Sequence, residues 1–375
     1  MQYSTFAAID IGSYDVILEI FEISKKQGIR SVDKICHRME LGKDTYTLGK
    51  IRPEMEEELC RVLADFVRIM EGYRVDAYRA MASSAISEAA NSLYVLGKIR
   101  QLTGLSVTVL SNSEQRFLGY KALAAMEDNF NKVIDKGTAI LDLDGGSFQI
   151  SLFDKDALVT TQNIRMGSLR IRERLAGIQS ETEHYEEMVE ELIWNEVSSF
   201  KKMYLKDRKI ENIMLIGDVF TDSVYQNIEE KTTKIISREN FNTWYEKIIR
   251  QSPMELAVKL GIPLENASLM YPSAVIYKCL IDMMGAEHIW IPGVHMTRGI
   301  AYEYAEQMKL LKGGHNFEND ILMAAKNIGK RYAVNRPHVQ NLEMTALAIF
   351  DATKKMHGMK ERERLLLQMA VMLHD

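Results

Sequence analysis

Cysteine is scarce in this chain: Cys36, Cys60 and Cys279 are all there is in 375 residues, and none lies at metal-ligand spacing from another. That excludes a disulfide framework and a structural zinc site, and it fits three buried thiols in a reducing compartment. An excess of basic charge is missing as well. With a formal net charge of −5 and a pI near 6.0, the chain has no general attraction for DNA or for anionic membranes. A small or flexible polyanion held in a local pocket is the ligand that remains. Long apolar runs are absent too. No stretch spans a bilayer, and no charged segment leading into an apolar one precedes the first strand, so a cytoplasmic protein without a membrane partner is expected. What the chain does contain is ordinary globular material, 46% hydrophobic, enough for two domains and a small third.

Two short segments repeat one pattern. Ala8-Ile9-Asp10-Ile11-Gly12-Ser13 and Ile140-Leu141-Asp142-Leu143-Asp144-Gly145-Gly146-Ser147 each run from an apolar strand through a carboxylate and a glycine turn to a serine. Alternating strands leave them through Val16, Leu18 and Ile20, and through Phe148, Ile150 and Leu152. Glycine lets backbone N–H groups close on an anion, serine adds a hydroxyl donor, and the carboxylate holds Mg²⁺ or orients water. One such segment is also what an ordinary β-hairpin looks like. Two in the same residue order read as facing phosphate loops. The phosphate-binding candidates are Asp10, Gly12, Ser13, Tyr14, Asp142, Asp144, Gly145, Gly146 and Ser147, with Asp10, Asp142 and Asp144 as candidate Mg²⁺ ligands.

The spacing predicts strands over residues 5–41. A helix opened by Pro53 follows, with Met55, Leu59, Val62, Leu63, Phe66, Val67 and Met70 on its buried face. Strand Val75–Met81, helix Ser84–Thr103, strand Leu105–Leu110 and helix Ser113–Met126 then alternate. The polar stretch Glu127–Lys136 reads as the passage between lobes. Strands from Gly137 to Arg165 open the second lobe, which turns helical around short strands at Asn212–Ile216 and His288–Ile291 and ends in a helix starting near Arg298. Lys312-Gly313-Gly314-His315-Asn316 breaks the pattern, and the rest is helical. The expected domains are 1–126, 127–311 and 312–375, the last a truncated helical domain.

Further segments carry a family resemblance: Met81-Ala82-Ser83-Ser84-Ala85-Ile86-Ser87-Glu88-Ala89-Ala90-Asn91, Ser111-Asn112-Ser113-Glu114-Gln115-Arg116-Phe117-Leu118 and Gly167-Ser168-Leu169-Arg170-Ile171-Arg172-Glu173-Arg174. With the paired loops they make the chain, from residue 5 to about 310, resemble the Ppx/GppA family of exopolyphosphatases and guanosine pentaphosphate phosphohydrolases, a branch of the actin-like ATPase superfamily. The resemblance implies an α/β fold of two actin-like (ribonuclease H-like) lobes with a facing cleft. From about Asp320 the chain is similar to the HD-like helical domain of longer members, with His338 as the first histidine and His374-Asp375 as the HD pair. Those residues would ligate a metal, and satisfied helix histidines are the plain alternative. His37, His184, His288, His295, His315 and His357 show no pairing.

The resemblance also implies Mg²⁺-assisted, in-line attack of water on a terminal phosphoanhydride, with glutamates preparing the water. This chain departs from that plan. The two glutamate positions fall on Gln115 and Gln149, whose amides hydrogen-bond water and take no proton. Losing a general base costs ~10²–10⁴ in rate, so hydrolysis is expected to be weak or lost. Glu114 is the nearby substitute, although Ser111-x-x-Glu114 also fits a helix capping box. A family arginine falls on Ser87, which keeps a hydroxyl beside a helix N-terminus. Asp144 replaces the first loop glycine, either repelling phosphate or sharing Mg²⁺ with Asp142. Tyr14 covers the pocket, stacks on a base or packs. The late phosphate-touching glycine becomes Gly217, followed by an acidic Asp218. The ligand stays open between polyphosphate, guanosine pentaphosphate and ATP, and so does the class: slow enzyme, silent binder, or interaction protein with a vestigial cleft. A homodimer is the default assembly.

Overall fold

The computed structural model describes residues 3–126, 130–155, 157–176, 185–227, 234–311 and 315–374. The beginning of the expected inter-lobe passage at 127–129, His184, the break at 312–314 and Asp375 lie outside them. Strands β1 (Ser4–Ile11), β2 (Asp15–Ser24), β3 (Gly28–Arg38), β4 (Ala77–Ala82) and β5 (Val107–Val109) form one sheet in the order β3-β2-β1-β4-β5. Strands β6 (Thr138–Leu143), β7 (Phe148–Asp154), β8 (Ala157–Ile164), β9 (Asn212–Ile216), β10 (Ile235–Ser237) and β11 (His288–Trp290) form the other, ordered β10-β11-β9-β6-β7-β8. In each, an antiparallel three-strand meander is extended by two parallel strands. The second sheet repeats the first from its own first strand outward, with β10 added at the edge. The repetition seen in two loops is therefore a repetition of whole lobes.

β1 is apolar on both faces because both are covered. Ala7, Ile9 and Ile11 pack toward Leu59, Leu63 and Phe66 of the helix Pro53–Gly72. Phe6 and Ala8 point the other way, onto Ile300, Ala301 and Ala305 of the helix Met296–Gln307. That closing helix follows the second lobe in sequence but packs on the first sheet, with Phe6 stacked on Tyr304 at 4.2 Å and Arg79 paired with Glu303 at 2.7 Å. Gly299 makes the return tight: a Cβ there would meet the Leu118 carbonyl oxygen at 2.0 Å. The helix Asn112–Met126, which carries Gln115, is thus clamped from behind.

Three local expectations change. The segment expected as one helix, Ser84–Thr103, is two, Ser84–Ser87 and Ser92–Thr103. Asn91 interrupts it by pairing with both backbone groups of Ile51, at 3.0 and 2.8 Å. A helix Leu41–Leu48 appears where no pattern announced one, because Gly42, Thr45 and Thr47 are poor helix formers and the support is tertiary. It packs on the helix Ser168–Leu175 of the other lobe. The short strand β10 is likewise added by pairing with β11.

A latch closes this side of the molecule. Tyr14 Oη donates to Asn266 Oδ1 at 2.7 Å, and Arg172 reaches Glu40 at 2.8 Å and Ser268 Oγ at 3.0 Å. Tyr14 itself packs with Leu169 and Leu269 while also lining the cavity between the lobes. Arg172→Ala removes charge-assisted bonds from a side chain only 14% exposed, so a loss of about 2 kcal/mol in melting experiments is expected.

The C-terminal helices Phe317–Arg331, Arg336–Ala352, Lys354–His357 and Glu361–Met372 pack outward from β8, where Asn327 Nδ2 donates to the Leu158 carbonyl at 3.3 Å. The rings of His338 and His374 lie 5.5 Å apart. Among the described residues no group of three His, Cys, Asp or Glu is placed to hold a metal, and no helix is long and apolar enough to cross a membrane.

Candidate functional site

Asp10 and Asp142 are each one residue from the end of the first strand of their sheets. Asp10 lies between Ile17 and Met81, Asp142 between Gln149 and Ile216. The equivalent strand ends line one cavity of about 210 Å³ between the lobes, together with Gly12, Tyr14, Gln115, Asp144, Gly145 and Gly217. The sequence placed all of these in the site. It missed Asp15, Lys34, Ser83, Asp222 and His295, which come from separate segments and meet here only through the fold. His295 faces Asp222 at 3.4 Å, against the expectation that it has no pairing.

The cavity is acidic. Burial, followed by the neighbouring Asp144, pushes the Asp142 carboxyl up to about 7. Burial likewise pushes Asp144 and Asp218 up to about 6. Asp10 is raised well above the usual carboxylate range by burial and then by Asp15, Asp144 and Asp142. Its Oδ1 is buried with no hydrogen-bond partner. Unmet carboxylate oxygen among like charges is the chemistry a divalent cation satisfies, and Asp10, Asp142 and Asp144 fit Mg²⁺ in that sense. Among the described residues no three His, Cys, Asp or Glu side chains converge as a ready-made metal site.

Asp144 changes what the second loop offers. Its Oδ1 accepts from the Gly145 N–H at 2.6 Å, and the nearby Gln115 amide, like that N–H, opposes the upward push of burial on its carboxyl. The loop's own carboxylate therefore sits on a donor that a phosphate loop would present to an anion. An amide at 115 favours a charged carboxylate at 144, where a second carboxylate would repel it.

Several candidates lie elsewhere. Gln149 is buried behind Asp142, its Oε1 accepting from Arg116 Nε at 3.1 Å, and it does not line the cavity. Glu114 is no substitute base. It caps its helix, accepting from the Ser111 N–H at 2.9 Å and the Ser111 hydroxyl at 2.7 Å, and these bonds hold its carboxyl below the usual range. Ser87 is exposed at the end of its one-turn helix and does not line the cavity. Ser13, Gly146 and Ser147 are buried just behind the cavity wall, with the Ser147 carbonyl closing the loop onto the Asp144 N–H at 2.9 Å. Arg170 donates to the Gly146 carbonyl of its own lobe at 2.8 Å and pairs across the cleft with Glu88 of the first lobe at 2.9 Å. It brings a guanidinium beside Glu88, next to the position where the resemblance implies an arginine.

Gly217 is required by its backbone. Its φ is +107°, and a Cβ would meet the Leu143 carbonyl at 2.6 Å and Asp142 Oδ1 at 2.7 Å. Gly217→Ala is expected to cost about 2 kcal/mol or more in a denaturant melt, by adding strain and moving Asp142.

Comparison with known proteins agrees with this geometry. The chain is 21% identical over 310 residues to a bifunctional 3-dehydroquinate synthase/phosphatase of Fusobacterium nucleatum, covering 76% of this chain and 44% of that protein. It is 19% identical over 376 residues to the guanosine-5'-triphosphate,3'-diphosphate pyrophosphatase of Photobacterium profundum, covering 99% of this chain and 72% of that one. The chain thus spans less than half of the first relative and about three quarters of the second. Among solved structures, an exopolyphosphatase from Cytophaga hutchinsonii superposes with a TM-score of 0.72 at 17% identity, covering 81% of this chain and 98% of that one. The Aquifex aeolicus Ppx/GppA member superposes with a TM-score of 0.67 at 17% identity, covering 82% and 99%. These likenesses establish the two-lobed actin-like fold. The Ppx/GppA phosphatase family itself matches residues 19–308, so the paired strand-end aspartates and the cleft between them belong to a member of that family.

Proposed function

We propose that this cleft binds a phosphoanhydride chain, polyphosphate or a guanosine or adenosine nucleotide, with Mg²⁺ bridging it to Asp10, Asp142 and Asp144, and that hydrolysis of the bound ligand is slow or lost. Gln115 carries this reading. Among the described residues it is the polar side chain that the helix Asn112–Met126 presents to the cavity, and it takes no proton. The neighbouring glutamate is committed to the helix cap. A relative named as a guanosine pentaphosphate pyrophosphatase and one from Mycobacterium leprae named exopolyphosphatase 1, 25% identical over 144 residues, support the ligand class.

Mg²⁺ supplies charge neutralisation when bound; the chain's own residues orient the phosphate and exclude water behind the Tyr14 packing. A second reading, an interaction protein with a vestigial cleft, is favoured by the carboxylate-rich wall and by the Gly145 donor already being taken. Calorimetric titration with tripolyphosphate, guanosine pentaphosphate and ATP separates the two. Binding that requires Mg²⁺ is expected for at least one of them; heat-silent titrations with all three, with and without Mg²⁺, would remove the first reading.

A further inference from the structure

Behind the cavity wall, three hydroxyls meet. Tyr46 Oη lies 2.6 Å from Ser13 Oγ and 2.8 Å from Ser84 Oγ, and the two serines are 3.1 Å apart. Ser13 belongs to the first loop and Ser84 follows β4. The second loop closes the fourth side, since a Cβ on Gly146 would meet Tyr46 Oη at 2.0 Å. The phenol thus stands between the two loops, in the gap that paired phosphate loops leave for a phosphoryl group. An arginine waits beside it. The Arg170 guanidinium lies over the Tyr46 ring, 3.8 Å from its centroid.

We propose that Tyr46 is a plug built into the chain, occupying a phosphoryl subsite formed by Ser13, Ser84, Gly146 and Arg170, and that it must swing out for a phosphate chain to reach between the loops. The inference rests on the cleft being a phosphoanhydride site and specifies how ligand entry is controlled. The plug is coupled to lobe closure by its supports. Its hydrogen-bond partners are on the first lobe, whereas Arg170 and Leu169, which pack against it and its helix, come from the second. Opening the lobes strips one side of the ring. The helix Leu41–Leu48 that carries Tyr46 has weak intrinsic propensity, so little local structure resists the change. A ligand phosphoryl would then take both serine hydroxyls and find Arg170 no longer covered by the ring, a stronger set of donors for an anion than for a neutral phenol.

Mg²⁺-tripolyphosphate binding to the wild-type chain, Tyr46→Ala and Tyr46→Phe tests this. Tyr46→Ala opens the subsite and is expected to bind about tenfold tighter or better. Tyr46→Phe keeps the ring but loses its bonds to Ser13 and Ser84, so it is expected to bind between wild type and Tyr46→Ala. Equal or weaker binding by a folded Tyr46→Ala overturns the plug and leaves the cleft reading standing; no binding by any of the three chains overturns both. A measurement on the wild type stands independently of how the variants fold. Hydrogen exchange over residues 41–48 should speed up when tripolyphosphate binds, and unchanged or slower exchange there would count against a plug that leaves.

Discussion

Exchanging Gln115 for Glu and Asp144 for Gly together, which leaves Asp10 and Asp142 to hold Mg²⁺, is expected to raise phosphate release from saturating Mg²⁺-tripolyphosphate by ~10²-fold or more over the wild-type chain, the span a positioned general base supplies. The double exchange matters because the two residues are matched. Gln115→Glu alone would set a carboxylate against Asp144, whose charge the Gln115 amide now favours. At ~4 Å and an effective dielectric of about 20, two like charges oppose each other by about 4 kcal/mol, so the single variant is expected to remain slow. Gln149→Glu is expected to add little, since residue 149 sits behind Asp142 and is held by Arg116. A colorimetric phosphate assay on the four proteins decides. A double variant as slow as the wild type, with ligand still bound, would break the link between residue 115 and turnover.

The second large effect is on stability. In metal-free buffer the melting temperature is expected to fall by several degrees as pH rises from about 4.5 to about 7.5, the interval spanned by the usual carboxylate value and the raised cleft groups. The sign follows from the direction of the shifts. Asp142 titrates at about 7, and Asp144 and Asp218 at about 6, all above the unfolded-state value. Their folded forms hold protons that the unfolded chain has released, so their stabilising contribution is complete at low pH and disappears as pH passes through the folded values. Asp282 and Asp351 are shifted downward and titrate below this interval. Asp142→Asn should flatten the fall, and Mg²⁺ should raise the melting temperature more at pH 7.5 than at pH 5. A melting temperature that climbs steadily with pH across the interval, in the absence of metal, would contradict the electrostatics of the cavity.

The parts of the site carried by local pattern were legible in the sequence. Asp10 and Asp142 end apolar strands before glycine turns, and each lines the cavity. The Ser111–Glu114 cap is a four-residue signal, and the fold uses it as a cap. What escaped was set by packing between distant segments. Tyr46 stands on a helix that propensity does not announce, and its hydroxyl acquires meaning only when Ser13, Ser84 and Gly146 surround it. His295 and Asp15 reach the cleft from opposite ends of the chain, and no spacing rule links them. Gln149 shows the converse. Motif position put it at the chemistry, and register sets it on the same face as its cross-strand partner Asp142, yet Arg116 holds its amide in the wall rather than in the cavity. The closing helix Met296–Gln307 makes the same point for the fold, because its sequence position follows the second lobe and its apolar face belongs to the first.

Phosphate release measured on wild-type protein already saturated with Mg²⁺-tripolyphosphate, with occupancy read by calorimetry in the same buffer, tests the central claim most directly. An occupied cleft whose ligand stays intact, until Gln115 and Asp144 are exchanged together, is the predicted result. Rapid release from the unmodified chain would show that water is being deprotonated in this cleft without a carboxylate at position 115.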